Sequence, residues 1–592
     1  MKTFIPSKDA ALEETIEGFR SQLAAHGFDI EEVSWLNPLP NVWSVHIHDR
    51  NCPQCFTNGK GATKKAALAS ALGEYIERLS CNYFFADYYL GSELSEQPFV
   101  HYPNERWFTI EDEELLPEGM MDSQMWQFYD PEQLLMPGDL IDLQSGNERR
   151  GICTLPFERV RDGQTLYIPV NLIGNLYVSN GMAAGNTPAE AKVQALSEIM
   201  ERYVKNRVIA NGLSLPEIPQ TVLDLYPATA QTVASLREEG IPLVLFDASL
   251  GGEFPVIGAA LLHQQTAGCF VSFGAHPRFE VALERTVTEL FQGRSLKELD
   301  IFPMPTFDEE ELADPQNLET HFIDSSGSIG WELFSDDKDF DFVHWDFQGS
   351  SSEELQRLHS LCHGLGHDIY VSEYQHLGAY ACRILVPGMS EIYPIEELLE
   401  NNNNRAFQLR EHLLSLDHFA TDPELCSELL EHLEELELDD WSRVRELIGI
   451  APDKQSPWFT LRLGELKCLL ALGCQDHSLA LGYAQWTLQM NQSSFSPERL
   501  NLYRCLKTVL ELKLDENRSL ANYRGILNQM FGENLLERCY RTVYEGQALH
   551  ALPAIDSLNQ LGSHKKLIET YQKLQQAKQS CFDKQARVLL TT

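Results

Sequence analysis

The sequence predicts an α/β (α+β) domain followed by an all-α domain. Two textures and one repeated motif carry that expectation. From residue 1 to about 400, β-rich runs alternate with helical segments, whereas beyond an asparagine run at Asn401 to Asn404 leucine-rich helical periodicity takes over with almost no β-rich runs. Within the first 400 residues an unusual motif is written twice. Gly61-Ala62-Thr63 is followed after ten residues by Glu74-Tyr75-Ile76-Glu77-Arg78, and Gly185-Asn186-Thr187 after ten residues by Glu198-Ile199-Met200-Glu201-Arg202. The expected domains are therefore 1–400 and 401–592.

Taken in order, the first β-rich run is Val42 to Ile47, and Asn58-Gly59-Lys60-Gly61 reads as a turn leading into the first motif helix. Leu166 to Val170 is a second strand. Ser179-Asn180-Gly181 through Gly185 reads as the turn before the second motif helix. Threonine ahead of a helical pattern is an N-cap, so Thr63 and Thr187 each start a helix. The second copy adds Pro188 at the first helical position and Glu190 three residues past the cap, which reads as a capping box. Strands are then expected at 243–246, 256–260 and 269–273. Toward the carboxyl end, 461–472, 478–488 and 496–512 read as antiparallel helix pairs of tetratricopeptide-like size, with Ser496-Pro497 as a start signal. Such a tail suits an interaction domain, or a plain bundle that stabilises a dimer.

On a helix, residues three, four and seven apart share a face. Ser70, Glu74 and Glu77 line up on the first motif helix, and Glu190, Gln194, Glu198 and Glu201 on the second. A single Glu-x-x-Glu-Arg is expected about 0.1 to 0.2 times in a chain of this size. Two copies with the same glycine, threonine and spacing carry far more weight than a solvated helix face would. A third, degraded copy follows the strand at 269–273: Gly274-Ala275-His276-Pro277 precedes a helical run in which Arg285, Glu289 and Gln292 fall at i, i+4 and i+7, with the spacing longer by two residues. Arg285 and Glu289 otherwise make a surface pair of little worth.

Lys and Arg number 46 against 87 Asp and Glu, a formal charge of −41 that argues against nucleic acid, anionic membrane and any broad phosphate-binding surface. No apolar stretch approaches a membrane span, the amino terminus has no signal-like apolar region, and 13 scattered cysteines read as reduced cytosolic thiols, so the expectation is a cytoplasmic protein. Cys52-Pro53-Gln54-Cys55 has zinc-ligand or redox spacing but no second pair to complete a site, which leaves an incidental role beside a metal or redox one. P-loop, Rossmann, zincin and nucleophile-elbow motifs are absent. The glutamates remain. Mg²⁺ favours a few carboxylates plus water and phosphate oxygens, and phosphoryl transfer relies on metal ions and cations that position and neutralise charge. Glutamates from two or three helices with Arg202 and Arg285 among them supply both, which points to a Mg-nucleotide site made by helices.

At these residues the sequence resembles the YcaO-domain family. Gly61 to Arg78, Gly185 to Arg202 and Arg285 to Glu289 look like its three ATP-binding motifs, and Arg383 to Pro394 resembles a further family segment. The resemblance implies ATP bound through Mg²⁺, with Glu74, Glu77, Glu198, Glu201 and Glu289 on the metal side. It sets Ser70, Asn186, Glu190, Gln194, Arg202 and Arg285 against the nucleotide, with Lys8 and Thr15 as an amino-terminal contact. It assigns no catalytic residue. Family enzymes use ATP to phosphorylate the oxyanion formed when a nucleophile adds to a peptide amide. This chain departs from the azoline-forming members. It ends in Lys584 to Thr592 without their proline-rich terminus and has no fused substrate-delivery domain. Its helical tail resembles the bacterial branch tied to β-methylthiolation of small-subunit ribosomal protein twelve, as an accessory factor to a radical methylthiotransferase. The chain lacks the three-cysteine spacing of that enzyme itself. The expectations are an ATP-hydrolysing amide-activating enzyme or an accessory factor, a homodimer with a protein partner, no membrane and no nucleic acid. The alternative is a non-catalytic scaffold that recruits a partner through the tail.

Overall fold

A computed structural model of the chain describes residues 2–146, 148–296, 302–400, 402, 409–414, 422–555 and 557–591. Three sheets lie ahead of the helical tail. β1 (Ile30–Leu39), β2 (Val42–Asp49) and β3 (Cys52–Gly61) form a meander; β8 (Leu243–Asp247), β9 (Val256–His263) and β10 (Gly268–Ala275) form another. The third sheet runs β4 (Arg106–Phe108), β5 (Ile152–Arg159), β11 (Tyr370–Tyr374), β12 (Tyr380–Leu385), β7 (Met182–Gly185), with β6 (Thr165–Pro169) paired to β5. Every ladder is antiparallel, so the domain is of the α+β kind. β10 is buried at every residue, as an apolar run covered on both faces must be.

The helices that matter to the site are α1 (Leu12–Ala25), α2 (Lys64–Ser80), α3 (Pro188–Ala210), α4 (Phe279–Glu289) and α5 (Ser351–Gly364). α2 and α3 begin where the threonines predict: Thr63 Oγ1 accepts from Ala66 N at 3.2 Å and Thr187 Oγ1 from Glu190 N at 3.2 Å. At the start of α4 the cap position is held by Arg278, whose side chain makes no capping bond, and this is where the third copy has degraded. Of the segments expected as turns, Asn58 to Gly61 are strand and end β3, whereas Ser179 to Gly181 do form a turn and Met182 to Gly185 then make β7.

Those glycines are there for close approach. A Cβ on Gly59 would lie 2.1 Å from the Ala67 carbonyl oxygen of α2, one on Gly61 2.7 Å from Ala66 Cβ, one on Gly185 2.9 Å from Ala191 N of α3, and one on Gly274 2.4 Å from Thr286 Oγ1 of α4. Each motif helix thus lies directly on the strand that precedes it. The longer spacing in the third copy leaves that contact intact.

The tail comprises α6 (Pro423–Glu435), α7 (Leu463–Gly473), α8 (His477–Met490), α9 (Pro497–Leu514), α10 (Leu520–Phe531) and α11 (Glu533–Glu545) around a leucine-rich core. Ser496 caps α9 as its sequence predicts, accepting from Arg499 N at 3.3 Å, with Pro497 at the first helical position. The asparagine run at the expected boundary lies outside the described residues except for Asn402. The last helix, α12 (Gly562–Thr591), leaves the tail and returns to the first sheet. Leu567, Tyr571 and Leu574 join the core made by β2, β3 and α2, and His564 is fixed between the Ala451 N–H, which it accepts at 3.1 Å, and the Tyr89 carbonyl, to which it donates at 2.9 Å. Burial pushes the His564 imidazole down to about 4, in keeping with that neutral two-way role.

Gly59→Ala is expected to cost about 1–3 kcal/mol in denaturant unfolding, because the clash is with helix backbone that no rotamer can relieve. Tyr571→Ala is expected to cost about 3 kcal/mol or more, since the ring is fully buried in the amino-terminal core rather than in the tail.

Candidate nucleotide and metal site

α3 is the spine of the site. Its rungs Glu190, Gln194, Glu198 and Glu201 span about 16 Å at the helical rise, and each rung meets a different element. At the amino-terminal end Glu190 turns away from the expected capping box. Instead of returning to the Thr187 amide, its carboxylate accepts from the Asp9 N–H at 2.9 Å and from Asn186 Nδ2 at 3.0 and 3.1 Å, and pairs with Lys8 Nζ at 3.2 Å. Thr15 donates to Asn186 Oδ1 at 2.9 Å. Lys8, Thr15, Asn186 and Glu190 are thereby one cluster, held by α1 and the segment before it. Asp9 adds a tie that the sequence did not single out, accepting from Thr187 Oγ1 and, at 2.6 Å, from Ser351 Oγ at the start of α5.

Farther along, Gln194 accepts from Arg285 Nη1 at 2.5 Å, and Glu201 lies 3.5 Å from Arg285 Nη2 while accepting from the Ala275 N–H at 3.3 Å. α4 is therefore locked to α3, and Arg285 is not the surface partner of Glu289. Glu289 pairs with Lys60 instead. Lys60 is a site residue that the motif reading missed. Strand alternation contains the signal: Gly59 and Gly61 face α2, so the side chain between them goes to the other face, where it also donates to Gln292 at 3.0 Å. Glu198 pairs with Arg202 at 2.7 Å, Arg78 lies 3.4 Å from Glu74 and 3.6 Å from Glu77, and Ser70 lies one turn before Glu74 on α2, half-buried.

The side chains of Glu77, Glu198 and Glu201 are 11%, 17% and 17% exposed, which sets them in a cleft and not on a solvated face. Their fields overlap. Burial, then the neighbouring Glu198 and Glu74, push the Glu77 carboxyl well above its ordinary range, against the pull of Arg78 and Arg202. Burial, then Arg285, push the Lys60 amine down to about 8, against Glu201, Glu74 and Glu198. Carboxylates of α2 and α3 thus act on common neighbours.

Each motif helix also contributes one unsatisfied donor. Arg78 Nη1, Arg202 Nη1 and Arg285 Nε are buried with no hydrogen-bond partner. Three orphaned guanidinium N–H groups beside half-neutralised carboxylates suit an anion with many acceptor oxygens brought in with a cation. Among the described residues no three His, Cys, Asp or Glu side chains are gathered to hold a metal ion alone. Mg²⁺ takes one or two carboxylates and fills its remaining positions with water and substrate phosphate, and the half-buried glutamates of α2 and α3 fit that demand. Cys52 and Cys55 are apart from all this, fully buried under α12 with their sulfurs 3.7 Å from each other.

The same stretch matches a family of known description. The family model described as YcaO cyclodehydratase, ATP- and Mg²⁺-binding, covers residues 58–390, and that of the YcaO cyclodehydratase C-terminal domain covers residues 406–580. The chain belongs to the YcaO family. ATP and Mg²⁺ are the cofactors by which that family's domain is described. The chain is 54% identical over 584 residues, 98% of its length and 100% of the relative's, to the ribosomal protein S12 methylthiotransferase accessory factor YcaO of Escherichia coli K12. It is 54% identical over 579 residues, 98% of its length and 99% of the relative's, to an uncharacterized protein of Haemophilus influenzae Rd. Among solved structures it is similar to YcaO from Methanopyrus kandleri bound with AMPPCP and Mg²⁺, at 18% identity and a TM-score of 0.40 over 67% of this chain and 94% of that one. No helix among the described residues is long and apolar enough to cross a membrane.

Glu77 gives the site a stability signature. Its folded-state pKa lies above the unfolded value, so its contribution is whole below the ordinary carboxylate range and is lost as the pH rises. Glu77→Gln is expected to stabilise the ligand-free protein by about 0.5–2 kcal/mol at pH 7 and to change little near pH 4, as read by thermal melts at the two pH values.

Proposed function

We propose that this chain holds Mg·ATP in the cleft between α2, α3 and α4 and acts as an accessory factor in methylthiolation of ribosomal protein S12. In this reading Glu74, Glu77, Glu198, Glu201 and Glu289 lie on the metal side. Ser70, Gln194, Arg202 and Arg285 lie along the phosphates, and Lys8, Thr15, Asn186 and Glu190 at the amino-terminal end of α3. The observation that carries it is the set of three orphaned arginine donors, one on each motif helix, all beside carboxylates of the cleft. Bound there, Mg²⁺ supplies charge neutralisation between carboxylates and phosphate oxygens.

The role of this chain's own residues is positional. Arg285 ties α4 to α3, Arg78 and Arg202 each keep a buried Nη1 without a partner, and the Lys8–Glu190 pair holds the amino-terminal end of α3. A net charge of −41 makes these local cations necessary for any anion to enter. The accessory role is supported by the E. coli relative, which aligns over nearly the whole of both chains. The reading further divides the chain near residue 400 into a nucleotide-binding domain and a helical, tetratricopeptide-like domain that faces a protein partner or a second copy. It treats the protein as a cytoplasmic homodimer that binds neither membrane nor nucleic acid.

Isothermal titration of the full-length protein with Mg·ATP tests the central claim. The wild type is expected to bind, and Glu201→Gln to bind roughly tenfold or more weakly. Absence of binding by the wild type overturns the reading.

A further inference from the structure

We propose that a second cavity, beside the carboxyl end of α2, binds a carboxylate on an apolar body with Arg383 as its anchor, and that it is the acceptor site for the nucleotide-dependent reaction. The carboxylate site stands on its own residues; its role as acceptor site rests on the nucleotide reading above.

The cavity has a volume of about 110 Å³ and is lined by Cys81 and Tyr83, which follow α2, and by Arg383 of β12. Arg383 is 8% exposed, and among the described residues no ion pair neutralises it. One of its terminal nitrogens donates to the Val178 carbonyl, while Nε, buried, has no partner. A buried guanidinium left in that state is costly, and its planar fork matches a carboxylate better than any other common anion.

The carboxylates already present do not serve it. Asp142 is engaged by His101 Nε2 at 2.6 Å and by the Ser145 N–H at 3.4 Å, and Asp87 lies exposed at the rim. Phe85, Leu155, Ile173 and Tyr571 give the wall an apolar part beside the amides of Asn82, Asn171 and Asn175, and that part favours an organic acid or an acidic side chain over inorganic phosphate.

Two further contacts tie the cavity to the rest of the molecule. Tyr83 stacks on the Arg78 guanidinium, 4.4 Å from ring centre to its central carbon, so one wall residue touches the nucleotide cleft directly. On the other side α12 supplies Tyr571 as wall and Lys578 as prop. Lys578 is 2% exposed, and its amine donates to the His101 carbonyl at 2.7 Å and to Asn82 and lies 4.2 Å over the Tyr102 ring. The cavity is complete only with the last helix docked.

The test is isothermal titration of the full-length protein with acetate, butyrate, hexanoate, N-acetyl-aspartate amide and inorganic phosphate. Affinity is expected to rise along the acid series, by up to about fourfold for each methylene buried, and phosphate to bind more weakly than butyrate. The amide separates an acidic side chain from a free organic acid, and binding of either supports the site. Arg383→Gln is expected to lose at least tenfold in butyrate affinity and Arg383→Lys to retain some of it. Gly174→Leu covers the case in which Arg383→Gln fails to fold. Gly174 is exposed at the cavity edge, where an added Cβ meets no atom within 4 Å, so a leucine there is expected to narrow the mouth and weaken butyrate while Arg383 itself is unchanged. Unchanged butyrate affinity in every folded variant, or phosphate binding tighter than butyrate, overturns the site. Butyrate binding that persists in Glu201→Gln supports the cavity independently of the nucleotide. In the wild type, butyrate affinity that changes at least threefold with saturating Mg·ATP supports the acceptor role, and affinity indifferent to Mg·ATP overturns that role.

Discussion

The site depends on backbone contact between strand and helix at four glycines. Because Gly59, Gly61, Gly185 and Gly274 have no Cβ, α2, α3 and α4 each lie directly on the strand that leads into them. That contact fixes the rotation of each helix about its axis, and rotation decides where a glutamate at i and one at i+3 point. A helix lifted by the thickness of a methyl group would be free to roll, and carboxylates on three helices would not act on the same neighbours. Strand alternation then does a second job without further cost, since the glycines that face α2 send Lys60 to the opposite face and onto Glu289.

Geometry of that kind forces like charges together, and the electrostatics show how the protein tolerates it. Every carboxylate of the cleft has a cation within reach: Arg78 for Glu74 and Glu77, Arg202 for Glu198, Arg285 for Glu201 and Lys60 for Glu289. The compensation is incomplete in a directed way. Glu77 is pushed toward its protonated form, Lys60 toward its neutral form, and three guanidinium groups keep a donor unused. Both shifts are relieved by a cation and an anion arriving together, so the electrostatic imbalance of the cleft has the sign of a metal-bound polyphosphate.

What the sequence made legible follows from how local each signal is. A cap, a proline at the first helical turn and acids at helical spacing act within a few residues, so α2, α3 and their glutamate faces are readable directly. The third copy is only partly readable, because Arg278 provides no cap and the glycine lies two residues farther off. Glu190 misled for a related reason. Its spacing suits a capping box, but a segment about 180 residues earlier supplies Lys8 and the Asp9 amide and wins the carboxylate. Arg383 lies alone on a strand, and Lys60 is marked only by the glycines on either side of it, which fix the face its side chain takes.

The return of α12 is the least local feature and the one with the widest consequence. Its amphipathic sequence states that one face is buried but not against what, and the face goes to the first sheet and α2 rather than to the tail that precedes it. The division of the chain near residue 400 is therefore a division of sequence texture, while the amino-terminal core includes a helix from the far end. Tyr571 and Lys578 of that helix wall and support a cavity whose opposite side touches Arg78 through Tyr83. Leu567, Tyr571, Leu574 and Ala577 of α12 share one core with Ala71, Tyr75 and Leu79 of α2, the helix that holds Glu77. Packing alone thus joins the last helix of the chain to the helix that carries Glu74 and Glu77.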